Sequence, residues 1–228
     1  NVAPEGTVQP GQRLKIELLW RRGTERLPAL VFTGQSWGMG VQPEPGPRDT
    51  ITLDWRQVII PGNASNGPMQ IALGDGTVLA TYMVDALARI DEAPEVDVEV
   101  NRVLGEVGTL VGYIAENEAD LTQSFPITLI WQAGETQTSY TVFAQLLDSQ
   151  GRLIAQSDSI PAQGERPTTG WRAGEYIIDM HKLQFNEVAA PGEAQLIVGM
   201  YDAQTGQRIR LEPDGPDFIE VPGSISVR

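Results

Sequence analysis

The chain has 228 residues, 41% of them hydrophobic, no cysteine and a formal net charge of −14. That length holds one large domain or two small ones, and the apolar content is that of a folded chain rather than a disordered one. The charge repels phosphate backbones and anionic lipid, so nucleic acid is not an expected partner. The missing cysteines exclude disulfides, thiolate nucleophiles and Cys-type zinc sites.

In chain order, Leu14, Ile16, Leu18 and Trp20 alternate with Lys15 and Glu17, which predicts a strand with one buried and one wet face. Met69, Ile71 and Leu73, then Val78, Ala80, Tyr82 and Val84, repeat that alternation. The one helix-like stretch, 84–93, has an apolar spacing that also suits a strand ending. Later strands over 127–131, 140–147 and 195–201 carry apolar residues on both faces, as strands covered on each side do. Turn sequences at 9–12, 74–77, 148–151 and 202–207 punctuate these runs at sandwich-like intervals. The reading is all-β.

The chain also repeats itself. "LKIELLW" (14–20) matches "FPITLIW" (125–131), "LDWRQVII" (53–60) matches "TGWRAGEYII" (169–178), and the run 66–79 matches 191–206. The offset grows from 111 (Trp20 to Trp131) through 116 (Trp55 to Trp171) to 125 (Gln70 to Gln195). Two tandem Ig-like β-sandwich domains are therefore expected, 1–94 and 95–228, with "VDVEV" (96–100) opening the second. The growing offset places the second copy's extra residues between the Trp171 and Gly192 strands.

The second half also carries a longer pattern: Leu129 and Trp131, "YTVFAQLLD" (140–148), "GRLIAQSD" (151–158), "PAQGERPTTGWRAGEYIID" (161–179) and "APGEAQLIVGMYDAQTGQR" (190–208). Over about residues 97–212 this resembles a β-rich extracytoplasmic segment of glycosyltransferase 39-type (dolichyl-phosphate-mannose-mannosyltransferase-like) membrane proteins, chiefly from Chloroflexi, and of related exported proteins. The resemblance implies an extracytoplasmic setting and an accessory role, since the transmembrane catalytic part of such enzymes is absent from these residues. Gln145 and Ser157 stand where the family pattern often carries His. The chain starts at Asn1 rather than Met, which suggests a piece excised from a longer anchored or exported chain. No apolar run approaches the roughly 20 residues that span a bilayer, so no membrane insertion by this segment is expected.

Chemistry-bearing residues are sparse. The single histidine, His181, is expected at the surface, and no G-x-S-x-G elbow accompanies it. No phosphate-cradling glycine loop precedes a helix. The acidic run 211–220 lacks the D-x-D-x-D-G series of a calcium loop, so no cofactor or metal is expected. Trp20 and Trp131 end equivalent strands and are expected in the core, and Trp55 and Trp171 are expected to pack.

Two candidate ligand-binding places remain. One is Trp37, in the Gly-rich loop with Gln35 and Ser36; its alternative is a ring folded back on its own core. The other is Trp171 with Gln145, Gln156, Asp158 and Thr168; its alternative is a polar network pinning the 167–171 loop. Gln145 and Gln156 are expected as diagonal neighbours across the hairpin. Sugars stack on tryptophan faces beside polar groups that read their hydroxyls. The expectation is a non-catalytic module with carbohydrate or another protein as partner. A structural spacer and an enzyme of unrecognised type are the alternatives.

Overall fold

A computed structural model describes residues 2–3, 6–21, 28–34, 38–41 and 51–228, the side chains of 2–3, 20–21 and 51–53 apart. The protein is nearly all β, and the chain divides into two compact units, Asn1–Ala88 and Arg89–Arg228. The sequence alone set the division near 94. It falls earlier because Ile90 bridges Tyr176, and the Arg89 side chain reaches Glu175, tying 89–91 to the second unit.

In the first unit the strands are β1 (Val2–Ala3), β2 (Thr7–Val8), β3 (Arg13–Arg21), β4 (Leu30–Thr33), β5 (Gly38–Val41), β6 (Ile51–Ile59), β7 (Gly67–Leu73) and β8 (Val78–Val84). They form two sheets, β1-β3-β6 and β2-β8-β7-β4-β5. Leu14, Ile16 and Val58 from one sheet meet Leu30, Phe32, Met69, Ile71 and Tyr82 from the other in one core. This is the sandwich that period-2 alternation demands, because each sheet has one apolar face to hide.

The second unit has β9 (Val98–Leu104), β10 (Gly108–Ile114), β11 (Glu118–Ala119), β12 (Phe125–Ala133), β13 (Tyr140–Asp148), β14 (Leu153–Ser159), β15 (Tyr176–Phe185), β16 (Gly192–Asp202), β17 (Ile219–Glu220) and β18 (Ile225–Val227). Two 3₁₀ turns, 162–164 and 168–170, lie between β14 and β15. One sheet runs β9-β10-β12-β15 and the other β14-β13-β16-β18-β11, with β17 on β16. They join where Ala155 and Gln156 of β14 pair with Phe185 and Gln184 of β15, then diverge. Leu110, Ile127, Leu129 and Trp131 pack there against Val142, Ala144, Leu196 and Val198.

The second unit contains the strand order of the first. β10-β12-β15 corresponds to β1-β3-β6, and β11-β18-β16-β13-β14 to β2-β8-β7-β4-β5, down to the parallel pairs β2–β8 and β11–β18. Among the described residues β9 and β17 have no counterpart in the first unit.

The register revises one of the sequence matches. Leu14 pairs with Val58, Ile16 with Arg56 and Leu18 with Asp54; Phe125 pairs with Leu183, Ile127 with His181 and Leu129 with Asp179. Asp54 and Arg56 therefore correspond to Asp179 and His181, and Trp55 to Met180, not to Trp171. The extra residues of the second unit also fall elsewhere than the sequence suggested. Arg56 follows Val41 by 15 residues, whereas His181 follows Ser157, the matching position on β14, by 24. A second insertion follows β16: residues 203–218 stand where only 74–77 join β7 to β8.

Candidate functional site

Of the residues singled out from sequence, Trp37 lies outside the described residues. Trp171 does not offer a face to a ligand. Its ring is 3% exposed, tilted at 40° against Trp131 with centroids 6.5 Å apart, and its Nε1–H donates to the Arg166 carbonyl at 2.8 Å. The turn 168–170 causes this, because it rolls the chain inward before β15 begins. Thr168 is buried with it: its hydroxyl donates to the Thr138 carbonyl at 2.7 Å and accepts the Tyr140 N–H at 3.0 Å. That part of the patch pins a loop.

Gln145, Gln156 and Asp158 do share the outer face of the β13–β14 hairpin. Gln145 and Gln156 are direct partners rather than diagonal ones, because a bulge between Leu146 and Leu147 shifts the register. The Gln145 Nε2 lies 3.5 Å from the Gln156 Oε1. Asp158 stands opposite Phe143, close enough to the Tyr201 hydroxyl for its charge to act on it. Burial, then the charge of Asp158, pushes that hydroxyl above the usual tyrosine range. The face is polar, but no tryptophan stands on it.

Among the described residues the exposed tryptophan is instead Trp55, expected to pack yet 58% exposed. It points outward from β6 because Asp54 and Arg56, on either side, point in. Glu17 is its cross-strand partner on β3, and Lys15 and Gln57 form the next pair outward on that face. The Arg13 Nη1 reaches Gln57 Oε1 at 3.4 Å. An indole flat on a sheet, with a carboxylate, an amide and an ammonium beside it, has both a stacking face and hydroxyl-reading groups.

His181 is not at the surface but 2% exposed. Its Nδ1 lies 3.2 Å from the Ser157 hydroxyl and its Nε2 3.0 Å from Asp179 Oδ2, while Asp179 Oδ1 accepts the Ala162 N–H at 2.8 Å. This Ser–His–Asp chain has the hydrogen-bond order of a catalytic triad. Yet the imidazole and carboxylate are sealed inside, where β14 and β15 part. At the matching place in the first unit Arg56 forks onto Asp54 Oδ2 (2.9 and 2.7 Å) and donates to the carbonyls of Val41 (3.1 Å) and Pro28 (2.7 Å). In both units an inward acid, two residues before an inward nitrogen base, ties β6 or β15 to the neighbouring sheet and its loop. The signal for this in the sequence is D-x-R against D-x-H within apolar strand runs.

A third buried acid, Glu175, meets Arg89 Nη1 at 2.6 Å and Arg166 Nη2 at 2.8 Å and accepts the Arg172 N–H at 2.7 Å. Among the described residues no group of three or more His, Cys, Asp or Glu side chains can hold a metal ion. No helix among them is long and apolar enough to cross a membrane.

No protein-family model and no curated protein matches the chain. Among solved structures, the chain aligns with one described as BspA_C_WT over 98% of its own length and 95% of that chain, at 8% identity and a TM-score of 0.22. A likeness that weak carries no argument. Fold and surfaces define an all-β protein with sheets in a sandwich-like arrangement.

Proposed function

We propose that this is a non-catalytic, extracytoplasmic β-sandwich module whose ligand is carbohydrate, held on the outer face of β3 and β6. The observation that carries the reading is Trp55, exposed on a rigid strand beside Glu17, Lys15 and Gln57. Strands hold side chains more rigidly than loops do, so the platform is preorganised. The resemblance of the second half to segments of glycosyltransferase 39-type membrane proteins supports the setting. The non-catalytic reading is supported by the Ser157–His181–Asp179 chain, which occupies the position of a plain ion pair in the first unit. Such a module takes neutral sugars more readily than anionic ones, because a net charge of −14 repels the latter.

A spacer role is the second reading, favoured by the burial of Trp171. A glycan array separates the two. Binding is expected to at least one neutral glycan, to fall roughly tenfold or more in Trp55→Ala, as loss of a stacked aromatic implies, and to persist in Gln145→Ala. Absence of binding to every glycan supports the spacer.

A further inference from the structure

In the second unit, one aromatic ring on an outer face lies under the protein's own cation. Phe143 points outward from β13, in register between Asp158 of β14 and Gly199 of β16, yet it is 1% exposed. Gly199 lets the ring lie close on β16, since a Cβ there would sit 2.4 Å from it. The Arg208 guanidinium covers it, 4.1 Å from the ring centroid. Tyr201 stands alongside, with centroids 6.4 Å apart, and the charge of Asp158 acts on its hydroxyl.

Arg208 sits in the insertion after β16, for which the first unit has no counterpart. Its backbone is fixed: Arg208 bridges Tyr201, and the Ile209 N–H donates to the Met200 carbonyl at 2.9 Å. Its side chain is held less firmly. It is 35% exposed, and its ion partner Asp217 is 3.6 Å away and also open to solvent, so that pair adds little. The side chain can swing out without moving the loop. It would leave an aromatic floor, a tyrosine wall and a carboxylate at the rim, which together suit a cation.

The geometry points to Phe143, Tyr201 and Asp158 as a binding site for a guanidinium-type cation, closed in cis by Arg208 and open to an arginine side chain of a partner protein when Arg208 swings out. The acidic chain draws such partners electrostatically. A tethered arginine competes at an effective concentration on the order of millimolar, so a free cation binds the native protein more weakly than a variant without it. This inference is independent of the carbohydrate reading, which rests on the other unit.

Ethylguanidinium is the probe, at millimolar concentration, followed by thermal shift and by the Tyr201 ring resonances. Arg208→Ala and Arg208→Gln are expected to show a saturable rise in Tm and a Tyr201 shift, and the native protein a clearly smaller response. Urea, a neutral isostere, is expected to give no response. Adding Asp158→Asn to Arg208→Ala is expected to weaken the response about fivefold, as loss of one partly exposed charge partner implies. A flat response in both variants, with Tyr201 resonances still dispersed as in a folded chain, would show that the Arg208–Phe143 contact is packing alone. An equal response to urea, or of the native protein to ethylguanidinium, would likewise overturn the proposed site.

Discussion

Trp131→Ala is expected to destabilise the second unit by about 3–5 kcal/mol, the range for deleting a buried large aromatic. Trp131 is fully buried, faces Ile177 across the β12–β15 pair and packs at a tilt against Trp171. Its removal empties the middle of the core and strips Trp171 of its neighbour, so the cavity has two large walls that cannot collapse. The cost is apolar rather than polar, because the Trp131 Nε1 has no hydrogen-bond partner. Trp131→Phe should therefore cost clearly less than the alanine change, since it also removes an orphaned donor. Urea unfolding of the three proteins checks both statements. Equal stability of Trp131→Ala and the native chain would show that this core is not as described.

Arg56→Ala and Asp179→Ala carry the second large expected effect, about 3–5 kcal/mol each, the usual result of stripping one partner from a buried ion pair or from a buried hydrogen-bonded network. Arg56→Ala leaves Asp54 buried without its fork and removes the guanidinium donors to the Val41 and Pro28 carbonyls. Arg56→Lys is not expected to rescue it, because an ammonium cannot fork onto the acid and reach both carbonyls. Asp179→Ala removes the acceptor of the His181 ring and of the Ala162 N–H. Ala162 and Gln163 both hold positive φ, 52° and 55°, in a left-handed geometry costly for non-glycine residues. Once Asp179 no longer holds that turn, the 160–166 segment should relax, read as faster amide exchange at 162–166 beyond the global loss of stability. Costs under about 0.5 kcal/mol, typical of surface sites, would deny the ties a structural role.

The strands were legible because alternation is local: Leu14, Ile16 and Leu18, or Met69, Ile71 and Leu73, state their own faces without reference to any partner. Register was not legible, because it is set by pairing across the sheet. The "WR" dipeptides at 55–56 and 171–172 look like one repeated strand, yet Trp55 lies within β6 while Trp171 directly follows the 3₁₀ turn 168–170, before β15 begins at Tyr176. That false anchor hid the true correspondence of Asp54 and Arg56 with Asp179 and His181, and with it the exposure of Trp55. It also misplaced the insertions. His181 read as a surface residue because a charged or polar group in a strand is normally the wet one. The inward acid beside it reverses that rule by supplying a partner for its nitrogen.

A non-catalytic module requires the Ser157–His181–Asp179 chain to be a tie and not a nucleophilic centre. Intact-mass measurement after incubation with a fluorophosphonate serine probe tests this directly, on the native protein and on Ser157→Ala. A sealed imidazole in such a module predicts no adduct on either protein. A single adduct on the native chain that disappears in Ser157→Ala would contradict it and make this an enzyme.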